Sequence, residues 1–401
     1  MNQLYQKKFF WIIILLICFQ FFRCLYIPVS NAASKLVIAI IAIIPMFSYY
    51  KGNIPLKKAM FTMLIFLIAS CIMGYIYWNQ NFIQAFLASY IVYSAFWYFF
   101  FWKAKLNLKI AEKVLICMAL IYSISYIIQW LIFPILIFDT QAMSENVLNT
   151  RLRLQGTALA SIGFCLFYNK VLLKWDLKNA IFCILCFLPI ALMGFRTMLV
   201  ALIFCVVFLT IKIKGFNYKL LLPLLVITSI GIILINTKYG QNIIGDIQAR
   251  QETDNFQNED YVRIIGLNYY LHDHFHNVTE QILGCGMYYS GSEGEKLQEQ
   301  IEPYGIKWND WGVLGLSFYS GIITIIMLLY CTIVCALKKT NKEYVYLNAW
   351  MIYMLLCSIT TAEFLRQGNT IIWALAAYLI IKNNLERKNG NNICNYTNIQ
   401  C

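Results

Sequence analysis

Apolar runs of about twenty residues recur along this chain, and the short polar segments between them mostly carry lysine. Nothing else in the sequence restricts the fold so strongly. A hydrocarbon layer about 30 Å thick is crossed by about 20 helical residues. Stretches such as Trp11–Ile17 and Leu36–Ile44 are apolar on every helical face. A membrane β-barrel would instead alternate apolar and polar residues in segments of about ten. With 60% hydrophobic residues and a mean hydropathy of +0.63, the chain carries more apolar surface than a soluble domain can hide. The expected fold class is therefore an all-α polytopic membrane protein.

Spans are predicted at 9–27, 36–50, 59–77, 82–102, 114–138, 154–173, 180–195, 197–211, 220–236, 310–337, 344–364 and 369–382. That gives about twelve transmembrane helices. Alternate connections collect most of the 32 basic residues: Lys51, Lys57 and Lys58; Lys103 to Lys113; Lys170 to Lys178; Lys212 to Lys219; Lys338 to Lys342; and Lys382 to Lys388. Basic residues favour the cytoplasmic side of a membrane, so an even span count with both termini cytoplasmic fits. The first span follows Lys7 and Lys8, and Ser30-Asn31-Ala32-Ala33 looks like a signal-peptide cleavage site. Arg23 interrupts that apolar region, and the segment is kept as a span.

The net charge of +13 is accounted for by this lysine pattern and by anionic lipid head groups, without nucleic acid. Most of the 14 cysteines fall inside spans, where cysteine acts as a small hydrophobe. Cys183 and Cys186 form a CxxC, but without the βαβ context that gives the motif redox meaning.

The organisation reads as a membrane bundle of about nine spans over 1–236, a large periplasmic loop over 237–309, a second bundle of about three spans over 310–384, and a polar cytoplasmic tail over 385–401. The apolar segment 180–211 is too long for one helix and short for two. Lysine at both its ends demands an even number of crossings, so a tight hairpin is expected at Gly194-Phe195-Arg196. Within the large loop, Ile264, Leu267, Leu271, Phe275, Val278 and Ile282 step by three and four, which predicts an amphipathic helix. Gly284, Gly286, Gly291 and Gly294 follow it.

Lysine and arginine are partitioned. Of eight arginines, only Arg387 falls on the lysine-rich side; Arg23, Arg151, Arg153, Arg196, Arg250, Arg263 and Arg366 fall on the other, which holds only Lys35, Lys238, Lys296 and Lys307. Topology can use either residue. Arginine on the disfavoured side needs its own reason, and a permanently charged, two-pronged guanidinium suits phosphate oxygens. Snorkelling at the interface is the plainer explanation for each arginine singly. Acidic candidates stand nearby: Glu259 and Asp260 one turn before Arg263, Asp310 at the start of a span, and Glu363 three residues before Arg366. The last two also have structural readings, as a helix N-cap and an i,i+3 ion pair. His272, His274 and His276 read as solvated surface histidines; no third ligand at a diagnostic spacing makes a metal site of them.

The layout resembles the Wzy-type polysaccharide polymerases and O-antigen ligases of bacteria, multi-span proteins with a large outer loop late in the chain. The resemblance is carried by Arg151-Leu152-Arg153-Leu154-Gln155-Gly156, Gly194-Phe195-Arg196-Thr197, Ile282-Leu283-Gly284-Cys285-Gly286 and Asn309-Asp310-Trp311-Gly312-Val313-Leu314-Gly315. Ligase-type members often carry a histidine–asparagine pair before the last of these segments. Here the pair is Asn309-Asp310, which leans toward polymerase. The resemblance implies a multi-pass protein of the bacterial inner membrane. Its partners would be polyprenyl-pyrophosphate-linked oligosaccharides and membrane lipids, with a chain-length regulator as a potential further partner and no cofactor. The implied reaction is glycosyl transfer from one lipid-linked glycan to another on the outer face. The expected pyrophosphate-binding residues are Arg196 and Arg263, with Arg151, Arg153 and Arg366 in the same basin. Asp310 is the expected base, and Glu259 or Asp260 the second choice. An O-antigen ligase, or a flippase for the same lipid-linked glycan, are the rival readings; a flippase is expected to show two similar halves, and none is visible.

Overall fold

In a computed structural model the described residues are 7–27, 31–48, 54–142, 152–215, 262–359, 363–366 and 368–397. Arg151, Glu259, Asp260, the span expected at 220–236 and the opening of the large loop lie outside them.

The described residues are mostly helical, and each span expected within them contains a helix. The first half contains α1 (Lys8–Cys18), α2 (Asn31–Ser48), α3 (Lys57–Trp78), α4 (Phe82–Ala88), α5 (Tyr90–Ala104), α6 (Leu108–Ile132), α7 (Thr157–Leu173), α8 (Leu177–Met193) and α9 (Arg196–Lys214). The second contains α10 (Val262–Asn268), α11 (Val278–Leu283), α12 (Glu293–Ile301), α13 (Gly312–Ser320), α14 (Ile322–Leu337), α15 (Val345–Ser358) and α16 (Asn369–Thr397). Among the described residues, α3, α6 and α9 are long and apolar enough to cross a membrane, and the bent pair α4–α5 counts as a fourth. The span expected at 9–27 is helical only over Lys8–Cys18 before a turn at Gln20–Arg23, where φ is positive at all four residues, and two further segments expected as continuous spans are broken. The 57° bend between α4 and α5 falls at Ser89, whose hydroxyl donates to the Ala85 carbonyl at 2.9 Å. Such back-bonding competes with the helix ladder and bends it. The segment 310–337 divides at Gly321 (φ 84°).

α16 runs through the centre, with every residue from Ile371 to Ile381 buried. A helix apolar on all sides belongs inside a bundle. The outer helices differ. On α14, Ile325, Leu328, Cys331 and Cys335 face inward, yet Ile322, Ile326, Ile333 and Leu337 form an equally apolar exposed face. Apolar surface on that scale is stable against lipid and not against water. The CxxC cysteines lie on α8, both buried and both free thiols.

The lysine-bearing connections meet at one end of the bundle. Lys382 Nζ donates to the Leu106 carbonyl at 2.8 Å, Asn169 Nδ2 to the carbonyls of Lys342 and Glu343 at 3.2 Å, and Lys170 pairs with Glu112 at 2.6 Å.

The later part of the large loop packs into the opposite end. The break at Gly321 frees carbonyls at the end of α13, and the loop supplies their donors: Cys285 N–H to Phe318 O at 3.1 Å and Gly286 N–H to Tyr319 O at 2.9 Å. The approach is so close that a Cβ on Gly321 would meet the Leu283 carbonyl, and one on Gly284 the Gly321 backbone.

The amphipathic helix expected over 264–282 is corrected by the structure. It is interrupted by a π-turn at Tyr269–Asp273, and the extra residue in that turn rotates the register. Leu271, Val278 and Ile282 are exposed, whereas Tyr270, His274 and Glu280 are buried. The reading of all three histidines as solvated fails for the same reason. His274 is packed between Trp78 and Tyr270, with ring centroids at 5.0 and 4.9 Å. Glu280, fully buried, accepts hydrogen bonds from the Trp78 indole and from the backbone N–H of His276 at 2.9 Å. The His276 ring nitrogen Nδ1 is also 2.9 Å from the carboxylate.

Two outcomes follow from this packing. Gly321→Ala should prevent loop docking and abolish a cooperative thermal transition in detergent. Gly291→Ala, also at positive φ but with open space around it, should cost only about 1 kcal/mol. Burial pulls the His274 pKa down to about 3, with a smaller push from His276, against about 6.5 in an unfolded chain. Between those values the unfolded chain holds a proton that the folded chain lacks. Stability should therefore fall as pH drops through that window, by up to about 1.4 kcal/mol per pH unit. His274→Phe, which keeps the ring stacking, should flatten the dependence of melting temperature on pH.

Candidate functional site

At the end of the bundle opposite the lysine connections, a two-residue ladder pairs Gln141–Ala142 (β1) with Leu152–Arg153 (β2). Tyr126 donates its hydroxyl to the Leu152 carbonyl at 3.0 Å and Tyr122 to the Leu154 carbonyl at 3.2 Å. Leu152 and Leu154 are buried, so strand alternation turns Arg153 to the other face. There its guanidinium carbon lies 5.1 Å from the centroid of the Phe195 ring.

Phe195 owes its position to the expected hairpin. α8 ends at Gly194, in the left-handed region (φ 67°), and α9 begins at Arg196. Phe195 is the only residue between Gly194 and α9, and it receives a second cation: the guanidinium carbon of Arg366 also lies 5.1 Å from its centroid. Two guanidinium groups therefore stand within about 10 Å of each other on one aromatic platform, each within cation–π range.

Arg366 is held from behind. Its Nε lies 3.4 Å from Glu363 Oε2, the i,i+3 pair that the spacing suggests. Glu363 is fully buried and accepts from Thr157 Oγ1 at 2.6 Å and Asn369 Nδ2 at 3.1 Å. Asn369 Oδ1 in turn accepts from the Ala158 N–H at 3.3 Å, at the start of α7. A buried carboxylate tied to α7 and α16 fixes the cation it faces.

Asp310 joins from the large loop, on a single 3₁₀ turn, Trp308–Trp311. It does not cap the next helix; Trp311 occupies that position, with no side-chain cap. α10 places Arg263 beside this turn, because Gly266 backs onto Ile306, Lys307 and the Trp311 indole. Burial pushes the Asp310 pKa up, while Arg263, then Lys307, then Arg153 pull it back. The Arg153 pKa is lowered by burial and by Arg366, and raised by Asp310. These mutual effects join Arg153, Arg366, Asp310 and Arg263 into one electrostatic cluster. Two donors in it, Arg153 Nε and Trp311 Nε1, are buried and have no acceptor among the described residues.

Of the residues expected from sequence, Arg153, Arg263, Arg366 and Asp310 are thus brought together. Arg196 follows Phe195 in the chain, exposed at the first position of α9. Arg151, Glu259 and Asp260 lie outside the described residues. Sequence reasoning missed the Phe195 platform and the Thr157–Asn369 support of Glu363. Phe195 could have been flagged as an aromatic next to a hairpin arginine; the support carries no local signal.

The cluster can bind an anion rich in oxygen acceptors, and its carboxylate can accept a proton beside that anion. No family model matches the chain, and no curated protein is significantly similar to it.

If Glu363 anchors Arg366, Glu363→Gln should destabilise the protein by about 3 kcal/mol, the scale for breaking a buried ion pair. The double variant Glu363→Gln/Arg366→Met should cost less than the sum of the single changes. Chemical or thermal denaturation of the four proteins in one detergent measures this.

Proposed function

We propose that this protein polymerises lipid-linked oligosaccharides by glycosyl transfer at the outer face of a bacterial inner membrane. In this reading the chain crosses the bilayer about twelve times, with both termini cytoplasmic and the large loop outside. The observation that carries the proposal is the convergence of Arg153 and Arg366 on Phe195, coupled to Asp310 and Arg263 and holding two unpartnered donors. A surface patch of snorkelling arginines would not be built around buried supports.

The donor is a glycan on a polyprenyl diphosphate. A hydroxyl of the acceptor attacks the donor's anomeric carbon. The new glycosidic C–O bond forms as the bond from that carbon to the diphosphate breaks, and the bonding pair leaves on the diphosphate. Arg153 and Arg366 stabilise the charge arriving there, with Arg263 beside Asp310 and Arg196 and Arg151 contributing from adjacent backbone. The hydroxyl proton passes to Asp310. Glu259 and Asp260 remain second choices for that role. A cation aimed at developing charge contributes most in the transition state, and losing one such group costs about 10²–10³ in rate.

Arg153→Ala and Arg366→Ala, expressed and inserted normally, should each lower polymer formation by about that factor. Single lipid-linked units should then accumulate at the outer face. Full-length polymer in both variants would defeat the proposal. Stranding of units at the inner face would indicate transport instead. Loss of glycan attachment to the lipid A core, single units included, would indicate a ligase. With Asp310 as base, the rate should rise with pH through an apparent pKa above the usual carboxylate value of about 3.9. Because Arg263 lowers the Asp310 pKa, Arg263→Gln should move that acid limb to higher pH. A pH–rate profile of the two proteins decides the point.

A further inference from the structure

Lys35 is one of the few lysines on the arginine side of the chain, and the cluster around Phe195 does not use it. It lies in the first turns of α2, half-buried, with its ammonium 4.8 Å from the Tyr90 ring centroid. Among the described residues no carboxylate pairs with it. The charge it feels is Arg23, of like sign, and Arg23 has its own partner in Asp139 at 3.4 Å. A half-buried ammonium beside a second cation is left in want of an anion.

Lys35 opens into a groove of about 390 Å³. One wall is apolar, from Leu36, Leu87 and Ala88, and runs out to exposed Leu36, Ile40 and Ile83. The other is polar, from Gln84 of α4 and from Tyr289 and Ser290 of the large loop. The Tyr289 oxygen accepts the Asn81 N–H at 2.7 Å, which leaves its own proton to donate. A ligand matching this groove has an anion at its middle, a hydrocarbon chain on the lipid side and hydroxyls on the loop side.

Arg23, whose charge acts on Lys35, is joined to the arginine cluster by a short strip of backbone. The Asp139 N–H donates to the Arg23 carbonyl at 2.8 Å, and two residues later Gln141 pairs with Arg153. At about 3.3 Å per extended residue and about 5 Å between paired strands, the Arg23 and Arg153 backbones lie within about 17 Å.

We infer that this groove holds the diphosphate of the second lipid-linked substrate, the acceptor. The inference rests on the proposed polymerase reading. The acceptor keeps its bond to lipid while a hydroxyl one repeat unit away reacts, so its diphosphate needs a place of its own on the same face. It also needs only to be held. A single ammonium is a point charge suited to holding, whereas paired guanidinium forks suit the site where a diphosphate departs.

The test uses the full-length protein in nanodiscs, with a polyprenyl diphosphate and inorganic pyrophosphate as separate probes. Wild type should bind two equivalents of the lipid diphosphate. Lys35→Gln should weaken one of them about tenfold, the loss of a hydrogen bond to a charged group. Lys35→Arg should retain it, and Leu87→Trp, which fills the groove, should remove it. The second equivalent, unchanged in the Lys35 and Leu87 variants, reports that the protein is folded. The inference is overturned if Lys35→Gln and Leu87→Trp both keep two equivalents. It is also overturned if inorganic pyrophosphate matches the lipid diphosphate at the Lys35-dependent site, which would make it a simple anion site. Arg153→Ala and Arg366→Ala should remove the other equivalent. If they remove neither, the arginine assignment fails while the Lys35 result stands separately.

Discussion

A buried polar group is costly to leave unmatched, and where this bundle interrupts its backbone it supplies the match from within the chain. The break at Gly321 illustrates the constraint. A helix interrupted at depth exposes carbonyls, and here the backbone of Cys285 and Gly286 supplies the missing donors. The same contact carries the large loop into the helices, so satisfying the backbone also positions the loop. Glycines at 284 and 321 allow it, since side chains there would hold the two backbones apart.

Charged groups follow the same rule with larger stakes. Glu280 and Glu363 are both fully buried; Glu280 accepts from Trp78 and His276, and Glu363 accepts from Thr157 and Asn369 on one oxygen and faces Arg366 at 3.4 Å with the other. Glu280 ties the loop to the end of α3; Glu363 ties Arg366 to α7 and α16. Neither carboxylate is free to move without stranding its partners. Arg366, which Glu363 supports, is therefore held in place before any ligand arrives, the condition under which charge stabilisation costs no reorganisation.

The two cationic places on this end differ in kind. Around Phe195, two guanidinium groups share one aromatic ring, and one of them, Arg153, joins Arg263 and Lys307 in lowering the pKa of Asp310. At the groove, one ammonium stands over Tyr90 beside mixed apolar and hydroxyl walls. The first arrangement is suited to changing charge, the second to constant charge. A strip of paired backbone runs from Arg153 to Arg23, whose charge acts on Lys35.

Local pattern by itself determined the helices, the turn at Gly194–Phe195, the Glu363–Arg366 pair and the separation of lysine from arginine. Each depends on residues within a few positions of one another or on hydropathy over one span. Tertiary structure alone decided which arginines meet, since Arg153, Phe195 and Arg366 come from distant segments and approach only when α6, α8 and α16 pack. It also decided the burial of His274 and Glu280. The apolar stripe over 264–282 predicts the wrong face there, because a π-turn shifts the register and Trp78, from a helix some 200 positions earlier, supplies the hydrogen-bond donor. Periodicity reports what a segment prefers to hide. It carries no information about the partner that makes hiding a charge affordable, and that partner exists only in the assembled fold.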